Sequence, residues 1–353
     1  MKRKLLIKLE KQKVIKKNKK YTVESLKKKK KIKLIFFSIL VSFLIWIIYK
    51  RTFTKNFWKM LNLKNYINIA YAFDANNYHY IAHVSMKSIM LSQKKNTYII
   101  FHMLVPPSIK KEEKEVIDKV CQQHKNCEIK YFEMDERYKG LNTIGVIKWS
   151  TAIYYRLRLP DLLTNEKKIL YLDCDTLIYK DLTELYNYNI NGKYFTGMLE
   201  PRNEIKNYIN TGVMLFNLEE LRQGNIIKKI EEYLFKHNFK LTLPVNDSLN
   251  RVCHEKNGYF PPEFIQWGFC SVQSIDKYYK DLKIKFDKER IIKAYKDPYI
   301  YHLIGYKYKP WKGITSDSGK VCIDPFIRFY EMAKKTDYYY DIINTFTIRT
   351  SSK

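Results

Sequence analysis

Asp173 and Asp175 stand one residue apart, directly after the apolar run Lys168–Leu172, in KILYLDCDTL. In extended backbone, residues i and i+2 point to the same side. The two carboxylates therefore face one way, and they repel each other unless a cation lies between them. The C-terminal edge of a strand is also where open α/β sheets place their ligands. The combination suits a divalent ion bridging the protein and a diphosphate, with Cys174 turned into the core. Alone, such a triplet is common and reads as a solvated turn; its place after KILYL and its partners give it chemical meaning. One partner is His302, in HLIGYKYKPW (residues 302–311), after an expected strand over 299–301. Gly305, three residues on, lets backbone approach a phosphate closely, and Lys309 supplies a point charge. Two carboxylates and an imidazole suit Mn²⁺ at least as well as Mg²⁺, which prefers all-oxygen shells.

These groups need a sheet to hold them. Residues 66–73 (YINIAYAF) read as a buried strand, followed by a helical pattern over 78–91 and a second strand over 97–105. Pro106-Pro107-Ser108 breaks the chain, and Ser108 is the expected cap of a helix running to about His124. A third strand is expected over 128–133. This β-α-β-α-β alternation predicts a parallel sheet with helices on both faces. Residues 148–159 read as a helix stopping before Pro160. A buried strand over 211–218 (TGVMLFNL) follows, then helical patterns near 219–236 and 246–256. The stretch 258–268 (GYFPPEFIQWG) reads as a strand and turn near the cleft, and 336–353 as a peripheral tail. Trp267 and Trp311 fit either an acceptor site or the core.

The chain has 353 residues, 46% of them hydrophobic, which excludes global disorder. Its net charge is +29, of which residues 1–33 carry +14. Residues 34–49 (LIFFSILVSFLIWIIY) contain no charge and span roughly 24 Å as a helix. Lys33 and Lys50 can snorkel from either end, and Trp46 and Tyr49 suit a membrane interface. The segment lacks the polar face of a buried core helix, and no signal-peptide cleavage pattern follows it. The expected organisation is a basic cytosolic tail (1–33), a transmembrane helix (34–49), a stem (50–65), a globular domain (66–335) and the tail. The positive-inside rule makes this a single-pass type II protein with a lumenal domain. That suits a Golgi or ER membrane, or a bacterial membrane in a prokaryote. Nucleic acid is not the expected partner, because Tyr21 is the only aromatic among the tail's lysines. The six cysteines form no CxxC pair, so a zinc site is not expected. A Cys121–Cys127 bridge is left open, as is a homodimer. The one sequon, Asn246-Asp247-Ser248, is expected to face a catalytic pocket and to carry no glycan.

Taken in order, INIAYAFDANN, YYRLRLPDLL, KILYLDCDTLIYKDL, INTGVMLFNLEEL, a DSLN segment and HLIGYKYKPW resemble retaining glycosyltransferase family 8, over about residues 66–333. The resemblance implies a GT-A fold: a Rossmann-like, nucleotide-sugar-binding α/β domain with a mixed, mainly parallel sheet. It also implies a UDP-sugar donor, Mn²⁺ (or Mg²⁺), and transfer with retention to a carbohydrate, glycoprotein or glycolipid. By motif position, Ala72, Asp74 and Asn76 resemble the residues that hold uracil and ribose. Arg156 resembles the arginine near the diphosphate and sugar. Asp173, Asp175 and His302 resemble the metal ligands, with Cys174 inside the same donor-binding stretch. Gly305 and Lys309 resemble the phosphate contacts, and Asn210 a donor-sugar contact. Two departures stand out. Val245-Asn246 replaces the family's frequent Asp-Gln, so the shorter Asn246 lies under the sugar's reactive face and Asp247 is a candidate to share its role. The spacing from Gly305 to Lys309 is one residue longer than in some members.

An amide is a poor nucleophile, so Asn246 favours attack from the face the diphosphate leaves; a covalent route would fall to Asp247. Other readings remain. An inactive nucleotide-sugar-binding or scaffold protein is motivated by the Val245-Asn246 change. A nucleotidyltransferase would need a Gly-rich, Lys-bearing phosphate loop, which FDANNYHY does not offer. Neither donor sugar nor acceptor is named by these residues.

Overall fold

The computed structural model describes residues 66–74, 77–138, 150–200, 207–267, 286–304, 309–313, 315–317 and 320–347, with isolated positions 37, 41, 42, 46 and 275. By internal contacts the chain divides into 1–63 and 64–353. The expected tail and stem lie outside the described residues, as does the membrane segment apart from those four early positions. No described helix is long and apolar enough to cross a membrane.

Among the described residues twelve strands are formed in chain order: β1 (Tyr66–Ala72), β2 (Tyr98–Val105), β3 (Cys127–Glu133), β4 (Lys168–Leu172), β5 (Thr176–Ile178), β6 (Phe195–Leu199), β7 (Ile209–Asn217), β8 (Asn257–Tyr259), β9 (Ile265–Trp267), β10 (Ile300–His302), β11 (Thr315–Asp317) and β12 (Lys320–Cys322). β1, β2, β4 and β7 are buried along nearly their whole length. Strands covered on both faces read as such near-continuous apolar runs. The main sheet has the order β3-β2-β1-β4-β7-β6-β8. β3, β2, β1 and β4 are mutually parallel, and β7 runs antiparallel to both β4 and β6. β4 thus lies where the parallel half meets the antiparallel half. The helices Tyr78–Ser92 and Lys111–Gln123 make the crossovers of the parallel half. A small sheet, β5-β10-β9, pairs β10 antiparallel to β5 and sets His302 opposite Thr176.

Several local expectations are corrected. The helix after Pro107 begins at Lys111, and its N-cap is Lys110 rather than Ser108; Glu113 accepts from the Lys110 N–H at 2.9 Å. A turn in which Ile109 N–H donates to Pro106 C=O takes up Ser108. The stretch before Pro160 is a 3₁₀ helix, Thr151–Arg158, that runs on into a short α-turn, Leu159–Leu162. Pro160 sits in the first turn, where its missing N–H costs nothing. The helical region near 219–236 breaks at Gly224, and Asn225 takes a left-handed φ of 49°. His302 is the last residue of its strand and does not follow it. The tail is not peripheral: helix Tyr339–Thr347 buries Ile342 and Phe346 in the core, and Phe346 lies 6.2 Å from Trp311, ring to ring. Trp311 is itself a core residue. Cys121 and Cys127 form a disulfide, tying the end of helix Lys111–Gln123 to the start of β3.

Candidate active site

β4 delivers the acidic pair. At its end the Asp173 N–H donates to Gly212 C=O on β7 at 2.7 Å, and the chain turns so that Thr176 Oγ1 donates to Asp173 C=O at 2.9 Å. β5 then starts, and its antiparallel partner β10 brings in the imidazole. His302 Nε2 lies 3.2 Å from Asp175 Oδ1 and 3.8 Å from Asp173 Oδ2. One donor atom from each of the three residues falls within 4.8 Å of the others. The space between them exists because residue 212 is glycine. A Cβ there would come within 2.6 Å of Asp173 Oδ2 and 2.8 Å of His302 Nε2.

Asp175 is buried, and burial disfavours its charge, but the Lys309 ammonium and His302 outweigh that and hold its carboxyl well below the usual range. Lys309 Nζ contacts Asp175 Oδ2 and donates to Leu303 C=O at 2.6 Å. The expected phosphate contact is thus seated on the second aspartate.

Arg156 stands behind Asp173. Its Nη2 donates to Asp173 Oδ1 at 3.0 Å, its Nε to Ile153 C=O at 3.0 Å and its Nη1 to Thr211 C=O at 2.5 Å. The guanidinium lies over the Tyr171 ring at 4.3 Å, and the Tyr171 hydroxyl donates to the same Asp173 oxygen at 2.9 Å. Burial works against the Arg156 charge, yet Asp173 and Tyr171 keep its pKa raised. The structure therefore gives Arg156 the task of orienting a carboxylate.

Asn210, buried on β7, donates to Glu200 Oε2 at 3.0 Å and accepts from Gly212 N–H at 2.9 Å. Asn246 and Asp247 lie in the first turns of helix Pro244–Val252. The side-chain oxygen of Asn246 accepts from the Thr211 hydroxyl. Asp247 is committed elsewhere: it accepts from Tyr208 OH at 2.7 Å and from Leu243 N–H at 3.1 Å. Ala72 closes β1, and Asp74 accepts from Ser150, the N-cap of the 3₁₀ helix, with its pKa raised by burial. The Cys174 side chain is in the core, its thiol facing Ala72 C=O, and burial pushes its pKa well up, so it offers the cleft nothing. Asn76 and Gly305 lie outside the described residues. Gly212 and Thr211 carry site geometry that the motif reading did not assign. The available signal was a glycine inside a buried strand, which marks a close approach.

Two carboxylates and an imidazole around a glycine cradle form a hard-to-intermediate donor set, and it fits Mn²⁺ or Mg²⁺.

Comparison with known proteins agrees with this arrangement. The family model described as glycosyl transferase family 8 matches residues 68–315. A putative glycosyltransferase of Haemophilus influenzae is 27% identical over 205 residues, which cover 54% of this chain and 60% of that protein. The lipopolysaccharide 1,2-glucosyltransferase of Escherichia coli is 24% identical over 298 residues, 80% of this chain and 81% of that one. Among solved structures, the galactosyltransferase LgtC in complex with donor and acceptor sugar analogues aligns with a TM-score of 0.61 at 21% identity, covering 77% of this chain and 96% of LgtC. The apo bifunctional glycosyltransferase WbbM aligns at 0.63 and 18%, covering 80% of this chain and 52% of its own. These likenesses show a shared GT-A-like α/β fold with a mixed sheet.

Proposed function

The chain belongs to glycosyl transferase family 8, and from that premise we propose that it is a metal-dependent retaining glycosyltransferase. In this proposal it moves a hexose from a UDP-sugar to a glycan, glycoprotein or glycolipid. The observation that carries the reading is the convergence of Asp173, Asp175 and His302 on one point at the sheet's switch from parallel to antiparallel pairing.

Asp173, Asp175 and His302 would hold a divalent ion, which supplies Lewis-acid stabilisation to a departing diphosphate. Arg156 and Tyr171 fix the Asp173 carboxylate from behind, so its free oxygen stays aimed at the site. Lys309 stands at the same edge and offers a positive charge to phosphate oxygens. Asn246 lies beneath the donor sugar. With Asp247 bonded to Tyr208 and Leu243, no free carboxylate of this helix serves as a nucleophile. That favours same-face attack, in which the leaving diphosphate takes the acceptor's proton. We extend the proposal to topology: residues 34–49 anchor the chain as a type II protein of a Golgi, ER or bacterial membrane.

The test is a panel of UDP-sugars with purified protein, with and without Mn²⁺, read as UDP release. Mn²⁺-dependent release with at least one sugar is expected; no release with any sugar, acceptor mixtures included, overturns the reading. A second reading, a nucleotide-sugar-binding protein without transfer, draws on the capture of the Asn246 oxygen by Thr211. UDP-sugar binding without UDP release would select it.

A further inference from the structure

Thr211 has no role in the chemistry described so far, yet it touches both halves of the site. Its carbonyl takes the Arg156 Nη1 bond at 2.5 Å, and its hydroxyl lies 3.3 Å from the same nitrogen. A guanidinium can only donate, so the Thr211 oxygen accepts from Arg156 and its own proton is left for another acceptor. That acceptor is Asn246 Oδ1. The residue is fully buried, at 1% exposure, in a bulge of β7 between the Gly197–Met214 and Met198–Asn210 pairs, and burial with its carbonyl held by Arg156 leaves the hydroxyl little freedom to turn elsewhere.

Asn246 is also fixed from its backbone. Asn250 Nδ2 donates to Asn246 C=O at 2.8 Å, and the Asn250 side chain is in turn bound to both Ile209 N–H and Ile209 C=O, at 2.7 and 2.8 Å. Helix Pro244–Val252 is thereby clamped to the start of β7. With its oxygen taken and its carbonyl held, half-buried Asn246 has one side-chain polar group without a protein partner among the described residues, the amide Nδ2H₂.

We infer that Thr211 is a positioning residue that ties down the oxygen of Asn246 and turns its amide N–H groups into the cleft, so that Asn246 meets the donor sugar as a hydrogen-bond donor. The inference rests on the glycosyltransferase reading for its substrate but not for its geometry. An N–H donor recognises an oxygen, either a sugar hydroxyl or the glycosidic oxygen as it gains charge, and it offers no lone pair to the anomeric carbon. The hydroxyl also makes good the methylene that Asn246 lacks relative to glutamine, because it holds the shorter side chain in one rotamer.

The experiment compares T211V, which removes the hydroxyl, with T211S, which keeps it, each alone and on an N246A background. T211V is expected to lower kcat for UDP release roughly 10-fold with the donor KM changed by less than about 3-fold, and T211S to recover kcat to within about 3-fold. On N246A, T211V should cost less than about 2-fold, since neighbours in one network are non-additive. Equal costs on both backgrounds would overturn the inference. An activity-independent readout keeps the two readings separate. The Asn246 side-chain amide, identified in ¹H–¹⁵N spectra by its loss in N246D, should hold one position in wild type and T211S and move in T211V. An unmoved signal in T211V defeats the inference even if turnover falls. A moved signal in a protein that releases no UDP upholds the geometry while the functional reading fails.

Discussion

Gly212→Ala tests the site through one methyl group. Ordinary contact begins at 3.4 Å, so the Asp173 carboxylate must recede by about 0.8 Å and the His302 ring, met most closely at its Cε1, by more than about 1 Å. On the β4 side the backbone is held by the Val213–Leu172 pair and by Gly212 C=O, which accepts from the Asp173 N–H; on the β6 side Gly212 lies in a bulge between the Gly197–Met214 and Met198–Asn210 pairs, and any shift there pulls on Asp173 through that same bond. Metal sites tolerate ligand displacements of about 0.2 Å, so the shift is several times the tolerance. Mn²⁺ affinity, followed by electron paramagnetic resonance of the free ion, should fall roughly 100-fold, and UDP release should fall with it. Overpacking of this size costs about 1–3 kcal/mol of stability, read as a lower Tm with an unchanged far-ultraviolet spectrum. Wild-type Mn²⁺ affinity in G212A would refute the reasoning, because the cradle would then have no bearing on the ligands.

Asp175→Asn should remove Mn²⁺ binding and lower UDP release by about 10³-fold or more while the fold survives; near-normal turnover with Mn²⁺ present would defeat the metal assignment. Arg156→Lys keeps the charge but cannot reach Asp173, Thr211 and Ile153 together, so Mn²⁺ affinity should drop by about 10- to 100-fold in a titration. Burial lowers the pKa of His83 to about 4 and that of His102 to about 3. The folded chain then binds fewer protons than the unfolded chain below pH ~6.5, so stability falls as pH drops from there towards 4. Calorimetric unfolding at pH 5 in buffers of different ionisation heat should show these two residues contributing about two protons taken up.

Much of the site was legible because its parts end buried strands. KILYL could only be a covered strand, and the carboxylates that follow had to emerge at its edge. The short strand before Gly305 likewise brought His302 into view. What escaped the sequence depends on neighbours distant along the chain. Nothing near Gly212 in the sequence says that an imidazole ninety residues later will lie against its Cα. Arg156 read as a ligand-facing cation, but its three acceptors, from β4, β7 and its own helix, converge only after folding. Helix ends failed for a local reason: Ser108 and Pro160 both carry strong propensities, and a turn at Pro106 and a first-turn proline used them differently. The tail misled because its apolar residues, Ile342 and Phe346, are spaced one helical turn apart among tyrosines and polar groups.

That last helix has a practical meaning. Phe346 and Phe329 both pack on the Trp311 ring, and Trp311 is two residues from the lysine seated on Asp175. A chain trimmed at residue 336, as if the remainder were dispensable, would expose the back of that indole and loosen the segment that carries the lysine. Shortening the protein from its C-terminus would therefore damage the charged end of the cleft before it damaged the sheet, and proteolytic nicking there would register as lost activity in a protein that still looks folded.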